Sequence, residues 1–185
     1  MTRLDMRFDE TVIKSWVGKQ FVEYKCDPFD FTNSVTQIVG FTIGEATYRL
    51  TNIQETVDYY GTDEDIAVFS VNAAEKEAIK SAFSETEQII TPIMGDITKI
   101  MLVNENQCVE SEGKSYDVWL TRAIIFVVDG REISFEKDCV PFSEEIIIRR
   151  GYNLVEKISD EKEFLEGWND DAKATCKREI FEYAI

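Results

Sequence analysis

The sequence predicts an α+β fold: a largely antiparallel β-sheet with several hairpins, short helices near the N-terminus and in the middle, and two C-terminal helices. Three observations lead to this class. With 185 residues, of which 44% are hydrophobic, the chain can bury the core of one domain, which we place at residues 1–185. Short segments of alternating apolar residues end at glycine-containing turn dipeptides, as in hairpins. Other segments repeat apolar residues at helical spacing.

The first predicted element is a short helix between Asp9 and Gly18. Asp is favoured at the N-cap of a helix, and Gly is favoured just after its last turn. The apolar residues of this segment share one side of the helix, and they are Val12, Ile13, Trp16 and Val17. A strand is predicted next, at residues 20–25.

A hairpin is predicted around Gly44-Glu45, because a Gly-first dipeptide suits a two-residue turn between strands. Its strands are expected at residues 35–43 and 46–53. In the first strand, alternation places one set of apolar residues toward the core, and the set is Val35, Val39, Phe41 and Ile43. A further strand is expected at residues 66–71.

A second helix is predicted from residue 72 onward. Asn72 followed by Glu75 resembles a capping box, in which two side chains satisfy free backbone groups at a helix N-terminus. The apolar residues that follow recur at helical spacing, and they are Ala74, Ala78, Ile79, Ala82 and Phe83.

Asp129-Gly130 is the strongest hairpin signal in the chain, and it joins predicted strands at residues 116–128 and 131–137. Another strand is expected at residues 97–104. Because apolar and polar residues alternate over 131–137, we expect one face of that strand on the core and the other in water. The polar positions are Glu132, Ser134 and Glu136.

After a strand at residues 146–148, two helices are predicted, at residues 160–168 and 170–183. The last segment begins with Asp170-Asp171 and carries basic residues further along, which complements a helix dipole. Its apolar residues repeat every four positions, and they are Ala172, Cys176, Ile180 and Ala184.

The residue inventory excludes several kinds of catalytic site. The chain has no histidine, which rules out Ser-His-Asp and Cys-His hydrolysis and His-containing zinc sites. It also lacks the glycine-rich motifs that hold nucleotides and the Gly-x-Ser-x-Gly elbow. Four scattered cysteines indicate reduced thiols, and no apolar run reaches membrane-spanning length. We therefore expect a cytoplasmic protein that is not an enzyme and has no cofactor and no metal.

The net charge of −16 is unevenly distributed along the chain. Residues 26–98 contain thirteen Asp/Glu and only three Lys/Arg, and residues 50–75 contain six acidic residues and no basic one. Such a surface repels nucleic acid and anionic lipid and accelerates association with cationic clefts. It also keeps a protein in solution, and that simpler explanation stays open. We expect a basic protein partner, with no direct nucleic-acid contact and no membrane contact.

The candidate partner-binding site lies within residues 55–65. Asp63-Glu64-Asp65 lacks the spacing of a calcium-binding loop, so a solvated turn or a docking surface is favoured over a metal site. The adjacent tyrosines are suited either to anchoring an interface or to internal packing. The candidate residues are Glu55, Asp58, Tyr59, Tyr60, Asp63, Glu64 and Asp65.

A compact acidic domain with no histidine, no catalytic motif and an unpaired acidic run from Glu55 to Glu75 resembles the anti-CRISPR proteins of phages and mobile elements. The resemblance lies in size and charge. It implies a partner such as a Cas9-type nuclease, whose positively charged channel holds nucleic acid. The function expected from it is inhibition by binding, through a block of DNA engagement or of cleavage.

Two alternatives remain at this stage. The chain is also suited to be an adaptor or assembly protein of a mobile element, which binds another protein through a sheet edge or a helix face. An enzyme that uses carboxylates from distant strands is the second alternative, because a single sequence does not reveal such an assembly.

Overall fold

The computed structural model describes residues 2–29, 32–168 and 172–185, and strands make up 62% of it. The predicted α+β class is therefore wrong, and the fold is mostly antiparallel β-sheet. Its α-helices, α1 (Glu10–Lys14) and α2 (Lys162–Glu166), have five residues each. The strands are β1 (Thr2–Met6), β2 (Gln20–Cys26), β3 (Ser34–Thr36), β4 (Ile38–Ile43), β5 (Ala46–Tyr59), β6 (Thr62–Ala73), β7 (Ile89–Ser111), β8 (Lys114–Val128), β9 (Arg131–Lys137), β10 (Glu145–Gly151) and β11 (Lys173–Ala184).

The helix predicted after residue 72 is absent from the structure, which has only a 3₁₀ turn at Lys76–Ala78 there. Of the apolar residues in the predicted stripe, Ile79 is buried, whereas Phe83 is 57% exposed. Ile79 packs against Gly40, where a Cβ atom would lie 2.6 Å from its side chain. Because Ile79 is the only buried residue of this stripe, no apolar helix face forms, and the segment stays irregular.

The C-terminal helix predicted at residues 170–183 is also wrong: the segment forms β11, which pairs antiparallel with β7 over its whole length. Residues 170 and 171 lie outside the described residues. The four-residue repeat that indicated a helix is a multiple of the two-residue period of a strand, so it fits both structures. The β-branched and aromatic residues of the segment favour a strand, and they are Thr175, Ile180, Phe181 and Tyr183.

The predicted N-terminal helix is confirmed as α1. The Asp9 carboxylate accepts a hydrogen bond from the Thr11 N–H at 2.8 Å, as an N-cap does, and Gly18 ends the helical segment with φ of +81°. Ile13 and Trp16 are fully buried on the side that faces the core. A short helix thus forms here because both of its ends are capped and its apolar side is buried.

Both predicted hairpins are confirmed. Gly44 has φ of +60° in the turn from β4 to β5, and Asp129 and Gly130 have φ of 50° and 74° in the turn from β8 to β9. The strand predicted at residues 35–43 is divided at Gln37, whose φ is 67°, into β3 and β4.

Two sheets share the long strand β7. Its first part pairs with β2, from which the order continues β4, β5 and β6. Its second part pairs with β8 on the path to β9, β10 and β3, and it also pairs with β11. Strand β1 lies parallel to β8. We call the sheet that contains β2 the first sheet and the sheet that contains β8 the second sheet.

The main core combines aromatic and aliphatic side chains of both sheets with α1. Its largest fully buried members are Trp16, Phe21, Phe41, Phe126 and Phe135. A smaller cluster joins β7 and β8 to a segment that contains a 3₁₀ turn, and its residues are Met101, Val103, Ala123, Ile125, Leu154 and Ile158.

The expectation that one face of β9 is solvated is wrong for two of its three polar residues. Ser134 and Glu136 are each only 1% exposed, and Glu132 is half-buried. The Ser159 N–H reaches the Glu136 carboxylate at 3.3 Å, so the segment after β10 lies over this strand. A segment far along the chain therefore covers the face of β9 that the alternation of apolar and polar residues in β9 assigns to water.

Within the described residues, no helix has both the length and the apolar character needed to cross a membrane.

Candidate partner-binding site

The predicted acidic residues lie at the end of the hairpin formed by β5 and β6. The strands pair from Tyr48↔Ala73 to Tyr59↔Thr62, and Tyr60 and Gly61 form the turn. We call the five carboxylates near this turn the acidic tip, and they are Glu55, Asp58, Asp63, Glu64 and Asp65. The hairpin thus brings together acids from two separate stretches of the sequence.

The register divides the acidic tip between the two faces of the hairpin. Asp58 lies directly opposite Asp63, and Asp65 lies on the same face, because directly opposed residues share a face and successive residues alternate. Glu55 and Glu64 lie on the other face by the same rule. The acidic tip is therefore one end of a ribbon with charge on both sides, with three aspartates on one of them.

Lysine and arginine do not neutralise the acidic tip. None of the ion pairs found among the described residues includes one of its five carboxylates. Asp58 accepts a hydrogen bond from the Gly61 N–H at 2.8 Å, and Asp65 accepts one from the Thr56 hydroxyl. Because like charges directly opposed on a sheet are destabilising, the Asp58/Asp63 pair reduces the stability of the hairpin.

Tyr59 and Tyr60 are half-buried, and Tyr60 packs inside the molecule. Its ring centroid lies 4.9 Å from that of Trp168, 6.1 Å from that of Phe164 and 6.1 Å from that of Tyr116. Burial raises the pKa of Tyr59 to about 12 and raises the pKa of Tyr60 as well. The two tyrosines hold the hairpin against the rest of the chain, and a role in binding a partner stays a prediction.

Gly61 allows the hairpin to approach β8 closely. Its φ is +90°, and a Cβ atom at this position would lie 1.9 Å from the Tyr116 hydroxyl oxygen. Only glycine satisfies both the backbone conformation and the contact. The turn is thus fixed against Tyr116.

The second sheet carries a buried ionic network that the sequence reasoning did not find. Glu105 and Glu136 are 3% and 1% exposed. The guanidinium groups that surround them belong to Arg122, Arg149 and Arg178. Arg178 approaches Glu105 at 2.6 Å, and Arg149 pairs with Glu136. One signal in the sequence is Arg122 itself, a charged residue that directly precedes the apolar run from Ala123 to Val128 in β8.

This network fixes the segment that carries α2. Arg122 donates to the Ser159 hydroxyl at 2.6 Å, and Arg178 donates to the Ser159 carbonyl at 2.6 Å. Because α2 begins three residues later and supplies Phe164 to the contact with Tyr60, the network supports the surface on which the hairpin packs.

A chain of side-chain hydrogen bonds also leads from the hairpin to the network. The Tyr60 hydroxyl donates to the side-chain oxygen Oε1 of Gln107 at 3.4 Å, and the side-chain Nε2 of Gln107 donates to the Glu105 carboxylate at 2.9 Å. Glu105 in turn accepts from Arg178. The turn of the hairpin is therefore held by both aromatic packing and polar contacts of Tyr60.

Lys137 lies beside the network and is 5% exposed. Burial, with a smaller contribution from the positive charge of Arg122, lowers the pKa of its ammonium group to about 8. Burial likewise raises the pKa of the Cys139 and Cys176 thiols to about 12, so both are protonated at neutral pH. Within the described ranges, no three His, Cys, Asp or Glu side chains are arranged to hold a metal ion.

Two further pairs of adjacent charged residues, Glu144-Glu145 and Arg149-Arg150, make contacts outside the acidic tip. Glu144 binds the Gln54 backbone N–H at 2.9 Å, and Glu145 accepts from Ser34 at 2.7 Å. Arg149 pairs with Glu136, whereas Arg150 donates a hydrogen bond to the Tyr24 hydroxyl.

Comparison of the chain with protein families, with curated proteins and with solved structures finds no match in any of the three.

Proposed function

We propose that this chain is a non-catalytic, cytoplasmic inhibitor that uses the acidic tip to bind the nucleic-acid channel of a basic enzyme. The proposed partner is a Cas9-type nuclease, on the resemblance to anti-CRISPR proteins. The observation that carries the proposal is the acidic tip: five carboxylates at one end of a hairpin, none of them in an ion pair among the described residues.

Charge complementarity supports this proposal through the rate of association. A cleft lined by one sign of charge attracts oppositely charged molecules over long distances, and steering of this kind raises the association rate by about 10- to 1000-fold at low salt. A channel that normally holds phosphates offers the lysines and arginines that the acidic tip lacks within its own chain. The tip would thus compete with DNA for the same side chains.

Rigidity of the hairpin also supports the proposal. Binding is weakened when a loop has to be ordered at the interface, so a pre-ordered element loses less free energy on association. Tyr60 is packed on Trp168 and Phe164, and its hydroxyl reaches Gln107. The hairpin therefore presents its carboxylates without a large ordering cost.

The test compares two triple variants with the same change in charge. One variant is D58N/D63N/D65N, which alters the acidic tip, and the control is E45Q/E75Q/E77Q, which alters exposed acids at the opposite end of the same hairpin. Binding to a guide-loaded Cas9-type nuclease is measured by biolayer interferometry, and DNA cleavage is measured in parallel. We expect the tip variant to lose at least about tenfold in association rate and the control to change less than about twofold.

The outcomes separate position from net charge. An equal loss in both variants would show that total charge alone matters and would contradict the role of the acidic tip. Wild-type binding as strong in 0.5 M salt as in dilute buffer would contradict the electrostatic mechanism. If the wild-type chain neither binds nor inhibits the nuclease, the proposed partner is wrong.

A further inference from the structure

A cleft of about 710 Å³ opens where β7 separates from β8. After Ile97 the strand pairs with β8, with a register shift between Ile97 and Lys99, whereas before it the strand pairs with β2. The first part of β7 therefore diverges from the turn that joins β8 to β9. The gap is bounded by this part of β7 on one side and by the ends of β8, β9 and β10 on the others. Its volume lies within the range of small-molecule sites.

Part of the wall of this cleft is apolar, and charged residues line the rest. The apolar part consists of Pro92, Ile93, Val128 and Ile133, and Tyr152 lies at the edge. Tyr152 is 63% exposed, which leaves its ring free to cover a bound molecule. An apolar body of the size of two fused rings suits such walls.

Two arginines also line the cleft, Arg131 at the start of β9 and Arg150 near the end of β10. Neither takes part in an ion pair among the described residues, although the chain has 36 acidic and only 20 basic residues. The neighbouring arginine on β10 differs in this respect, because Arg149 pairs with Glu136. Unpaired guanidinium groups beside apolar walls favour an anionic ligand.

The Arg150 guanidinium is held in place by a tyrosine. It donates a hydrogen bond to the Tyr24 hydroxyl at 2.8 Å and lies 5.1 Å from the centroid of the Tyr24 ring. Tyr24 is buried, at 2% exposure, and packs on Phe135 in the main core. The position of the guanidinium is thus set by the core, while its remaining N–H groups stay available to a ligand.

The two carboxylates that line the cleft have other contacts. Glu132 accepts the Leu154 N–H at 2.6 Å, at the start of the 3₁₀ turn. The Asp129 carboxylate lies against Gly95, where a Cβ atom would come within 2.5 Å of it. Neither carboxylate forms an ion pair with Arg131 or Arg150 in the described part of the chain.

We propose that this cleft is a binding site for a small organic anion, in which a carboxylate, sulfonate or phosphate group meets Arg150 and Arg131 and an apolar body lies between Ile93 and Ile133. This function is independent of the acidic tip, which belongs to a different hairpin.

The test uses a pair of fluorescent probes that differ in one charged group. 8-Anilinonaphthalene-1-sulfonate carries a sulfonate on an apolar ring system, and N-phenyl-1-naphthylamine is its uncharged counterpart. Both are titrated into the full chain, and the fluorescence gives the dissociation constants. We expect the sulfonate to bind at least about tenfold more tightly than the neutral probe, because a charge-assisted hydrogen bond contributes to its affinity alone.

Variants assign that affinity to the cleft. R150Q and R131Q should each weaken binding of the sulfonate probe by about tenfold and change the affinity for the neutral probe by less than about twofold. R49Q is the matched control, because Arg49 is an exposed arginine of β5 outside the cleft, and it should change neither probe. Y24F should weaken the sulfonate less than R150Q does, because it removes only the hydrogen bond that positions the guanidinium.

Several results would overturn the proposal. Equal affinity for the two probes, sulfonate binding that survives R150Q, or no binding of either probe would each exclude an anion site. Amide chemical shifts provide the location, and sulfonate-induced changes centred on residues other than 92–93, 128–133 and 150–152 would also overturn it. Sodium benzoate, methanesulfonate and inorganic phosphate, used as competitors, then distinguish the acid group that the arginines prefer.

Discussion

The acidic tip and the buried ionic network use the same types of residue in opposite ways. In the network, Glu105 and Glu136 are surrounded by arginines and excluded from water, whereas in the tip Asp58 and Asp63 face each other in solvent. Three arginines of a chain with few cations are thus engaged inside the second sheet. The comparison teaches that the negative charge left on the surface depends on how many arginines and lysines are paired in the interior. Four measurements test these two regions.

The largest expected effect comes from the network. Arg122→Met should lower the free energy of unfolding by about 3–5 kcal/mol, because Glu105 and Glu136 stay buried after losing a partner. Urea denaturation followed by tryptophan fluorescence measures it. Arg49→Met, at an exposed position of β5, should cost less than about 0.5 kcal/mol. A loss below about 1 kcal/mol for Arg122→Met would mean that the network contributes little to stability.

Lys137 provides the second test, in which the substitution should raise the free energy of unfolding instead of lowering it. Lys137→Met should stabilise the fold by about 2 kcal/mol at pH 7, because the buried ammonium group of the wild-type chain is charged in both the folded and the unfolded state. Between pH 8 and the ordinary lysine value of 10.5, the unfolded chain binds more protons than the folded one. The wild-type chain therefore gains stability with rising pH in this window, and the advantage of the variant should shrink.

Thermal unfolding of both chains at pH 7, 8, 9 and 10 measures this difference, and subtraction removes the contributions of other groups. Lys157→Met, at an exposed position, is the control and should show no such pH dependence. An advantage that stays constant up to pH 10 would contradict the lowered pKa.

Gly61 provides the third test, at the turn of the acidic hairpin. Gly61→Ala should cost about 1–2 kcal/mol, because alanine is strained at φ of +90° and its Cβ meets Tyr116. Gly113→Ala is the matched control, with φ of +74° and no heavy atom within 4 Å of a Cβ atom. Gly61→Ala should therefore cost more than Gly113→Ala in urea denaturation, and equal costs would mean that the contact with Tyr116 is unimportant.

The smallest expected effect is a gain in stability at the acidic tip. Asp63→Asn should stabilise the fold by about 0.2–1 kcal/mol, because it removes the repulsion from Asp58 across the hairpin. The gain should decrease in 0.5 M salt, which screens exposed charges. Asp65→Asn is the comparison, since Asp65 lies opposite Thr56, and it should gain less. If Asp63→Asn is destabilising, the like-charge pair carries no penalty.

Elements whose structure is determined by neighbouring residues were predictable from the sequence. Asp9 and Gly18 define α1 through capping, and Asp129-Gly130 defines a hairpin through positive φ, so neighbouring residues alone carry the information. The acidic run around Asp63 was equally visible, because charge is a property of composition. The pairing of Asp58 with Asp63 needed the register, which only the fold supplies.

Elements that depend on distant contacts were not predictable. The four-residue repeat of apolar residues in β11 fits the period of a helix and also that of a strand, so the repeat alone predicts a helix wrongly. The pairing with β7 determines that the segment is a strand. The ionic network joins Glu105 to Arg178, which lie 73 positions apart, so no local pattern reveals it. The packing of Tyr60 on Trp168 likewise joins residues that are distant in the sequence, and the role of Tyr60 in binding a partner stays a prediction.

Strand β1 has a consequence for the timing of synthesis. It is synthesised before β8, with which it pairs, and the Phe8 N–H that follows it donates to the Thr121 hydroxyl 113 positions away. At translation rates of about 5–20 residues per second, its partner strand emerges on the order of ten seconds later. A nascent chain of this protein therefore exposes an unpaired strand throughout that interval, and the edge of β8 closes only after the N-terminal segment returns to it.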